Sequence, residues 1–285
     1  MARAHVEFVQ SQVLPFSQGL YGGARPDVEM RILSIDNEGG DASTMIRWPA
    51  GWSRTEPEHL DCDEEFLVLE GSLEINGTLY RKHDYAHLPS GYLRTSQRSE
   101  RGAVTISFFS SEPHAIPSDS SGNGFDRARL VEHIETRTYE KMKEVSESFD
   151  TPDWDPTGSF HKLLYQDPYS GERTWMIGMA PHWQTDLCEV HPVVEEEFSI
   201  LGDLCFPKGV FRDGGYFWRP PGIQHGPFAS WGGSLHLVRC KGGPFATEWV
   251  TGDPPDWYPD YNPVLPPEYE APVKSGQNYD REPNY

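Results

Sequence analysis

The sequence predicts an all-β protein made of two tandem barrels joined by a helical linker. Two observations carry that expectation. First, the chain repeats itself. Leu33, Asp36, Gly40, Met45, Ile46 and Trp52 return as Leu164, Asp167, Gly171, Met176, Ile177 and Trp183, and Gly71, Pro89 and Gly91 return as Gly202, Pro220 and Gly222, each 131 residues later. A fixed-period repeat defines the folding unit and is read before anything else. Second, 27 Gly and 25 Pro punctuate short runs rich in β-branched and aromatic residues, the pattern of a sandwich or barrel.

The elements follow in order. Residues 1–27 read as an irregular N-terminal arm. Residues 28–115 form the first barrel, with strands in MIRW (45–48), EEFLVLEG (64–71) and AVTISFF (103–109) and a hairpin turn at Asn76-Gly77. Residues 116–157 form a linker. Within it Leu130, Val131, Ile134, Tyr139 and Met142 recur among charges between Phe125 and Glu147, which predicts a helix whose periodicity serves packing rather than chemistry. Residues 158–251 form the second barrel, with strands in WMIGM (175–179), EFSILGDLCF (197–206) and SLHLVRC (234–240). Residues 252–285 are rich in Pro, Tyr and Asp. They cannot form a core of their own, so they pack over a domain or a partner, or remain a disordered tail.

Composition narrows the function. The chain has 285 residues and a formal net charge of -20. It lacks the basic footprint that a phosphate backbone requires, which argues against nucleic acid. Four cysteines without a CxxC pair make no disulfide framework. No basic stretch leads into an apolar core at the N-terminus, and no apolar run approaches the 18 or so residues of a membrane span. The expectation is a cytoplasmic protein.

One constellation carries chemistry. Glu189 and His191 stand two residues apart, so a strand would turn both to one face. Glu196 follows after a turn that begins at Pro192, with Phe198 continuing the same face, and His225 follows the Pro220-Pro221-Gly222 turn. Two imidazoles with one or two carboxylates inside a barrel make an N/O site suited to Fe(II), Mn, Ni or Zn. Adjacent strand residues face opposite ways, so only one of Glu195 and Glu196 reaches such a site. Glu196 aligns EEF with the EEF of the first copy, whereas Glu195 keeps the interval to Gly202. The ordinary alternative, a pair of buried structural histidines, does not account for a carboxylate and a Pro-Gly turn in register. In the first copy His59 and Glu64 recur, but Pro57 stands for Glu189 and Arg94 for His225. A guanidinium repels a metal and pairs with carboxylate. The expectation there is a lost metal site with a Glu64–Arg94 ion pair in its place, or an anion bound by Arg94. Trp183, His182, Phe198 and Trp218 are the expected pocket lining.

These segments resemble the two signature motifs of the cupin superfamily, G(x)5HxH(x)3–4E(x)6G and G(x)5PxG(x)2H. His191 and His225 match motif histidines in the second copy, where Glu189 replaces the first. In the first copy His59, Glu64, Gly71, Pro89 and Gly91 match. The resemblance implies two tandem cupin-type jelly-roll barrels and one divalent metal in the second, with Fe(II) favoured. It further implies an enzyme, most readily a dioxygenase that uses the metal and dioxygen to cleave a C–C bond of a small dicarbonyl or phenolic substrate. Glu189 is a fourth ligand or a base. A metal-dependent isomerase, decarboxylase or lyase, or a non-enzymatic small-molecule-binding protein, is the alternative on the same scaffold. By analogy with related two-barrel proteins, a homo-oligomer is expected.

Overall fold

The computed structural model describes residues 3–137 and 158–275. They divide into two compact units. The first comprises Arg3 and Leu14–Arg137, and the second comprises Ala4–Val13 and the described residues from 158 onward.

In the first unit the main sheet runs Val131–Glu135, Asp84–Leu88, Glu64–Ile75, Ala103–Phe109, Ala42–Trp48, Glu29–Ile35, Ser17–Gln18. In the second it runs Val6–Gln10, Gly215–Arg219, Val194–Phe206, Ser234–Lys241, Arg173–Met179, Ser159–Gln166. The repeat survives in three dimensions. Asp84–Leu88 and Gly215–Arg219 differ by 131 residues at both ends, as do Ala42–Trp48 and Arg173–Met179. One edge differs in origin. The strand that borders Asp84–Leu88 is the downstream segment Val131–Glu135, with Val131 opposite His87. The strand that borders Gly215–Arg219 is the N-terminal Val6–Gln10, with Val6 opposite Trp218.

That edge overturns two expectations. The N-terminal arm is not irregular, because a β strand within it closes the second barrel. The helix expected from Phe125 is absent over the described residues 125–137. A short 3-10 turn, Arg127–Arg129, leads instead into strand Val131–Glu135. An open sheet edge is a row of unpaired amides and carbonyls, and covering it outweighs a weak helical period. The rest of the expected helix lies outside the described residues. The tail is ordered against the second unit up to a helix at Pro267–Ser275. Val264 bridges Glu7, and the Tyr261 hydroxyl donates to Phe8 O at 2.8 Å.

The longest strand of each unit carries the inward row that matters for function. Glu64, Phe66 and Val68 alternate in the first, and Glu195, Glu197 and Ser199 in the second. A bulge then shifts the phase, marked by the irregular pairing between Val104 and Thr105 in one unit and between Ser199 and Leu201 in the other. After it Leu73 and Ile75, or Leu204 and Phe206, join the apolar clusters. Each strand is pinned by a glycine in the left-handed region, Gly71 at φ 68° and Gly202 at φ 86°. A Cβ at Gly71 would lie 2.0 Å from Gly102 O, and one at Gly202 2.0 Å from Gly233 O. Asn76 and Gly77 both take positive φ, 51° and 80°, which forms the expected hairpin turn.

Gly202→Ala therefore combines a backbone clash with an unfavourable φ and is expected to cost about 1–3 kcal/mol. Gly222 also has positive φ, but a Cβ added there would meet nothing within 4 Å. Chemical denaturation should show Gly202→Ala losing clearly more stability than Gly222→Ala; equal losses would remove the close approach as the reason for the glycine.

Candidate metal centre

Strand Leu187–Val190 and the turn after Pro220 meet through a two-way backbone bridge. Glu189 N donates to His225 O at 2.8 Å, and His225 N donates to Glu189 O at 3.1 Å. The loop after the strand adds His191, whose carbonyl accepts from Gly222 N at 2.8 Å. Both imidazoles are oriented through Nδ1. That of His191 faces Ala246 O at 2.9 Å and that of His225 faces Ile223 O at 2.9 Å. A carbonyl only accepts, so Nδ1 carries the proton and Nε2 presents a lone pair to the interior.

Four side chains converge on that point: Glu189, His191, Glu195 and His225, with one donor atom each within 4.8 Å of the others. His191 Nε2 lies 3.2 Å from Glu189 Oε2 and 3.6 Å from Glu195 Oε1. His225 Nε2 lies 3.1 Å from Glu195 Oε2 and 4.0 Å from Glu189 Oε2. Donors held about 2.0–2.2 Å from one ion stand roughly 2.8–3.6 Å apart, so the four need to close only slightly. Although Glu189 is near, His191 Nε2 is a buried atom without a directed hydrogen bond. An orphaned imidazole nitrogen aimed at two carboxylates fits a divalent cation, and the N2O2 donor set suits Fe(II), Mn, Ni or Zn.

Charge tells the same story. Burial would push the Glu195 carboxyl up, but His225, Arg219 and His191 together hold it far below the usual carboxylate range. Burial would push His191 down, but the neighbouring carboxylates of Glu189 and Glu195 raise it above its ordinary value. Two carboxylates therefore face two imidazoles in one buried cluster.

The expectation that Glu196 faces this site is corrected. Glu195 sits opposite Arg219 and faces inward, while Glu196 sits opposite Trp218 and faces away. The Glu196 carboxylate binds the Tyr216 hydroxyl at 2.6 Å and Arg239 Nη1 at 2.5 Å. Glu65 in the first unit likewise accepts from Tyr85 at 2.6 Å, which makes Glu65 and Glu196 the true counterparts, 131 apart. The second copy reads Glu195-Glu196-Glu197-Phe198 where the first reads Glu64-Glu65-Phe66, and aligning on Phe shifted the phase by one. The seven-residue interval from Glu64 to Gly71 and from Glu195 to Gly202 was the correct signal.

Two expected pocket residues move with that phase. Phe198 and Trp218 are buried on the opposite face of the sheet. His182 packs against Trp231 and Trp257, with ring centroids 5.9 and 6.4 Å away. Trp183 does line the cavity beside the cluster, which has a volume of about 620 Å³. One strand supplies Arg173, Trp175, Ile177 and Met179 to it in alternation, and Phe217, Phe228, Val238 and Phe245 complete an apolar wall. Glu197 and Arg219 line it next to Glu195.

The first unit replaces all of this. Arg94 Nη1 donates to Glu64 Oε2 at 2.6 Å. Arg25, which nothing in the sequence singled out, donates to the same carboxylate at 3.0 and 3.4 Å. Both guanidinium groups are buried. The backbone bridge equivalent to Glu189–His225 joins Glu58 to Arg94, so Glu58, not Pro57, is the counterpart of Glu189; its carboxylate takes Gln97 Nε2 at 2.8 Å. His59 stands apart, its Nε2 against Gly122. Trp48 and Trp52, 4.6 Å apart with Arg25 over Trp48, join Phe66, Val68 and Tyr80 in the core that fills this barrel.

Comparison with known proteins agrees with this architecture. Residues 7–112 match the family described as ChrR Cupin-like domain. No curated protein sequence matches the chain. Among solved structures, a Nostoc punctiforme PCC 73102 protein to which dioxygenase activity is ascribed aligns with a TM-score of 0.72 and 14% identity, over 88% of this chain and 92% of that one. A salicylate 1,2-dioxygenase from Pseudaminobacter salicylatoxidans aligns at 0.51 and 10% identity, over 74% and 75%. A deletion variant of Bacillus subtilis oxalate decarboxylase aligns at 0.51 and 12% identity, over 88% and 80%. At such identities the likeness is one of fold: the chain is an all-β protein of two barrels with a cupin-like fold.

Behind the cavity, His236 Nδ1 lies 3.0 Å from Glu197 Oε1. Burial pushes His236 down to about 3. Burial, then the negative charge of Glu195, pushes Glu197 well above its ordinary value. His236 is therefore neutral near pH 7, and Glu197 is biased towards its protonated form. A histidine with a depressed folded pKa stays unprotonated while its unfolded counterpart takes up a proton, so stability is lost as pH falls from about 6.5 towards 3, by up to roughly 1.4 kcal/mol per pH unit. His236 stacks on Phe211 with an interplanar angle of 10°, so His236→Phe should preserve the packing. Denaturation of this variant between pH 7 and 4 should show a shallower acid loss than the parent; parallel curves would mean that His236 is protonated in the folded state.

Proposed function

We propose that this two-barrel cupin is a mononuclear metal-dependent enzyme whose site lies in the second barrel. His191, His225 and Glu195 would hold the metal, with Glu189 as the fourth ligand or a base. The observation that carries the reading is the convergence of these four groups, of which Glu189, Glu195 and His225 line a cavity with apolar walls. A dioxygenase acting on a small phenolic or dicarbonyl compound is the reaction supported best, with Fe(II) the favoured ion. The bound metal would supply Lewis acidity and open positions for a chelating substrate oxygen and dioxygen.

The remaining work falls to the chain. Trp175, Trp183, Phe217 and Phe228 would hold a flat apolar body and exclude water from it. Glu189, the most exposed of the four at 23%, stands where a substrate proton could be taken up. Glu197 favours a second reading. A carboxyl that lines the cavity beside the cluster suits proton delivery in a decarboxylase, isomerase or lyase that consumes no oxygen.

Metal titration of the purified protein should give one equivalent per chain, and His191→Ala with His225→Ala should abolish it. Glu195→Gln should weaken binding at least about tenfold, roughly 1.4 kcal/mol. Glu196→Gln should leave affinity within about twofold while lowering stability, because the amide keeps one acceptor oxygen where Tyr216 and Arg239 use two and loses the charge that faces Arg239. Two equivalents per chain, or the larger affinity loss in Glu196→Gln, would contradict the site. Oxygen electrode traces on Fe(II)-loaded protein with a phenol and diketone panel separate the reactions. Uptake supports the dioxygenase, and product without uptake selects the second reading.

A further inference from the structure

The second barrel borrows a residue from the far end of the chain. Strand Val6–Gln10 fills the edge slot that Val131–Glu135 fills in the first barrel, and it carries Glu7 into the interior, 3% exposed. The backbone of Glu7 is fixed on its other side by Val264, with two hydrogen bonds of 2.7 Å. The Glu7 carboxylate accepts from Arg219 Nε at 2.8 and 2.7 Å and from Nη2 at 2.5 Å, across 212 residues of sequence. Arg219 is packed on the ring of Phe217 at 3.6 Å. One remaining arm, Nη1, reaches Glu195 Oε2 at 2.7 Å.

We infer that Glu7 is a positioning residue for the metal cluster: by occupying most of the Arg219 guanidinium it limits that group to one bond with Glu195 and leaves the carboxylate available as a ligand. The inference rests on the metal reading above. The first barrel displays the alternative. Glu64 occupies the position of Glu195, and two guanidinium groups, Arg94 and Arg25, converge on it. Among the described residues neither of those arginines bonds a second carboxylate. There the carboxylate is consumed by cations of the protein itself. Among the described residues of the second barrel one arginine, Arg219, bonds Glu195, and a second carboxylate, Glu7, shares it.

A guanidinium prefers a bidentate grip on carboxylate. Without the charge of Glu7, Arg219 would turn its fork to Glu195 and compete with a divalent ion for the same oxygens. The groups that orient metal ligands commonly alter affinity 10–100-fold when changed. Linkage adds a reciprocal consequence: if the docked N-terminal strand favours metal binding, metal binding favours the docked strand by the same factor.

The test uses the full chain and Co²⁺ as probe, with Glu7→Gln, Glu7→Asp and His191→Ala beside the parent. Glu7→Gln should weaken Co²⁺ binding at least about tenfold and shrink the metal-induced rise in melting temperature. Glu7→Asp should fall between it and the parent. Hydrogen exchange of the parent should slow in residues 6–10 when Co²⁺ is added, a measurement that stands even if Glu7→Gln fails to fold. A purely structural Glu7 would lower the melting temperature of the metal-free protein but leave Co²⁺ affinity, the metal-induced rise and the exchange of residues 6–10 unchanged. That outcome overturns the inference. His191→Ala separates the two levels. If it still binds Co²⁺ like the parent, the metal site itself is wrong; if it loses binding while Glu7→Gln does not, only the role of Glu7 falls.

Discussion

A carboxylate buried at the head of the longest strand of each barrel has to be neutralised, and much else in the structure follows from how. An isolated carboxylate in a low-dielectric interior is unfavourable by several kcal/mol even after relaxation. In the first barrel Arg25 and Arg94 meet Glu64 inside the protein. In the second, Arg94 is replaced by His225, so the cationic charge beside Glu195 falls to one arginine already engaged by Glu7. Glu189 and Glu195 then concentrate carboxylate charge beside His191 and His225, which a divalent ion would balance on the proposed reading.

The two interiors are consistent with that division. Where the carboxylate is satisfied internally, Phe66 and Val68 continue the inward row and aromatic side chains fill the space. In the second barrel Glu197 and Ser199 hold the same positions, and the row opens on a cavity walled by Trp175, Phe217 and Phe228. The segment after strand Ser234–Lys241 joins orientation to enclosure. Phe245 packs on the His191 ring at 4.4 Å, Ala246 O receives its Nδ1, and Trp249 pairs with Glu189 across the two-stranded sheet. One stretch of chain thus orients His191 and lines the cavity.

The fold was legible in the sequence because the repeat is. An interval of 131 residues between equivalent glycines, prolines and tryptophans carries directly into the strand boundaries. The replacement of Arg94 by His225 was legible for the same reason, and both lie where the interval puts them. The phase of the central strand was misread, because a three-glutamate run allows two alignments with a two-glutamate run. The glycine at the bulge, Gly71 or Gly202, fixes register by backbone contact, and a count from that glycine places Glu195 inward. Arg25 and Glu7 were not legible at all. Each acts across tens to hundreds of residues from an arm without periodicity, and only the closed barrel shows what it touches. The strand at Val131–Glu135 was hidden for a related reason: its conformation is set by the open edge it covers, not by its own spacing.

The most direct measurement is anomalous diffraction from crystals of the full chain soaked in Mn²⁺. The account predicts one peak per chain, bonded to His191, His225 and Glu195, with Glu196 still on Arg239 and no density between Glu64 and Arg94. A peak in the first barrel, a peak held by Glu196, or none in the second barrel with Glu195 folded onto Arg219 would contradict it.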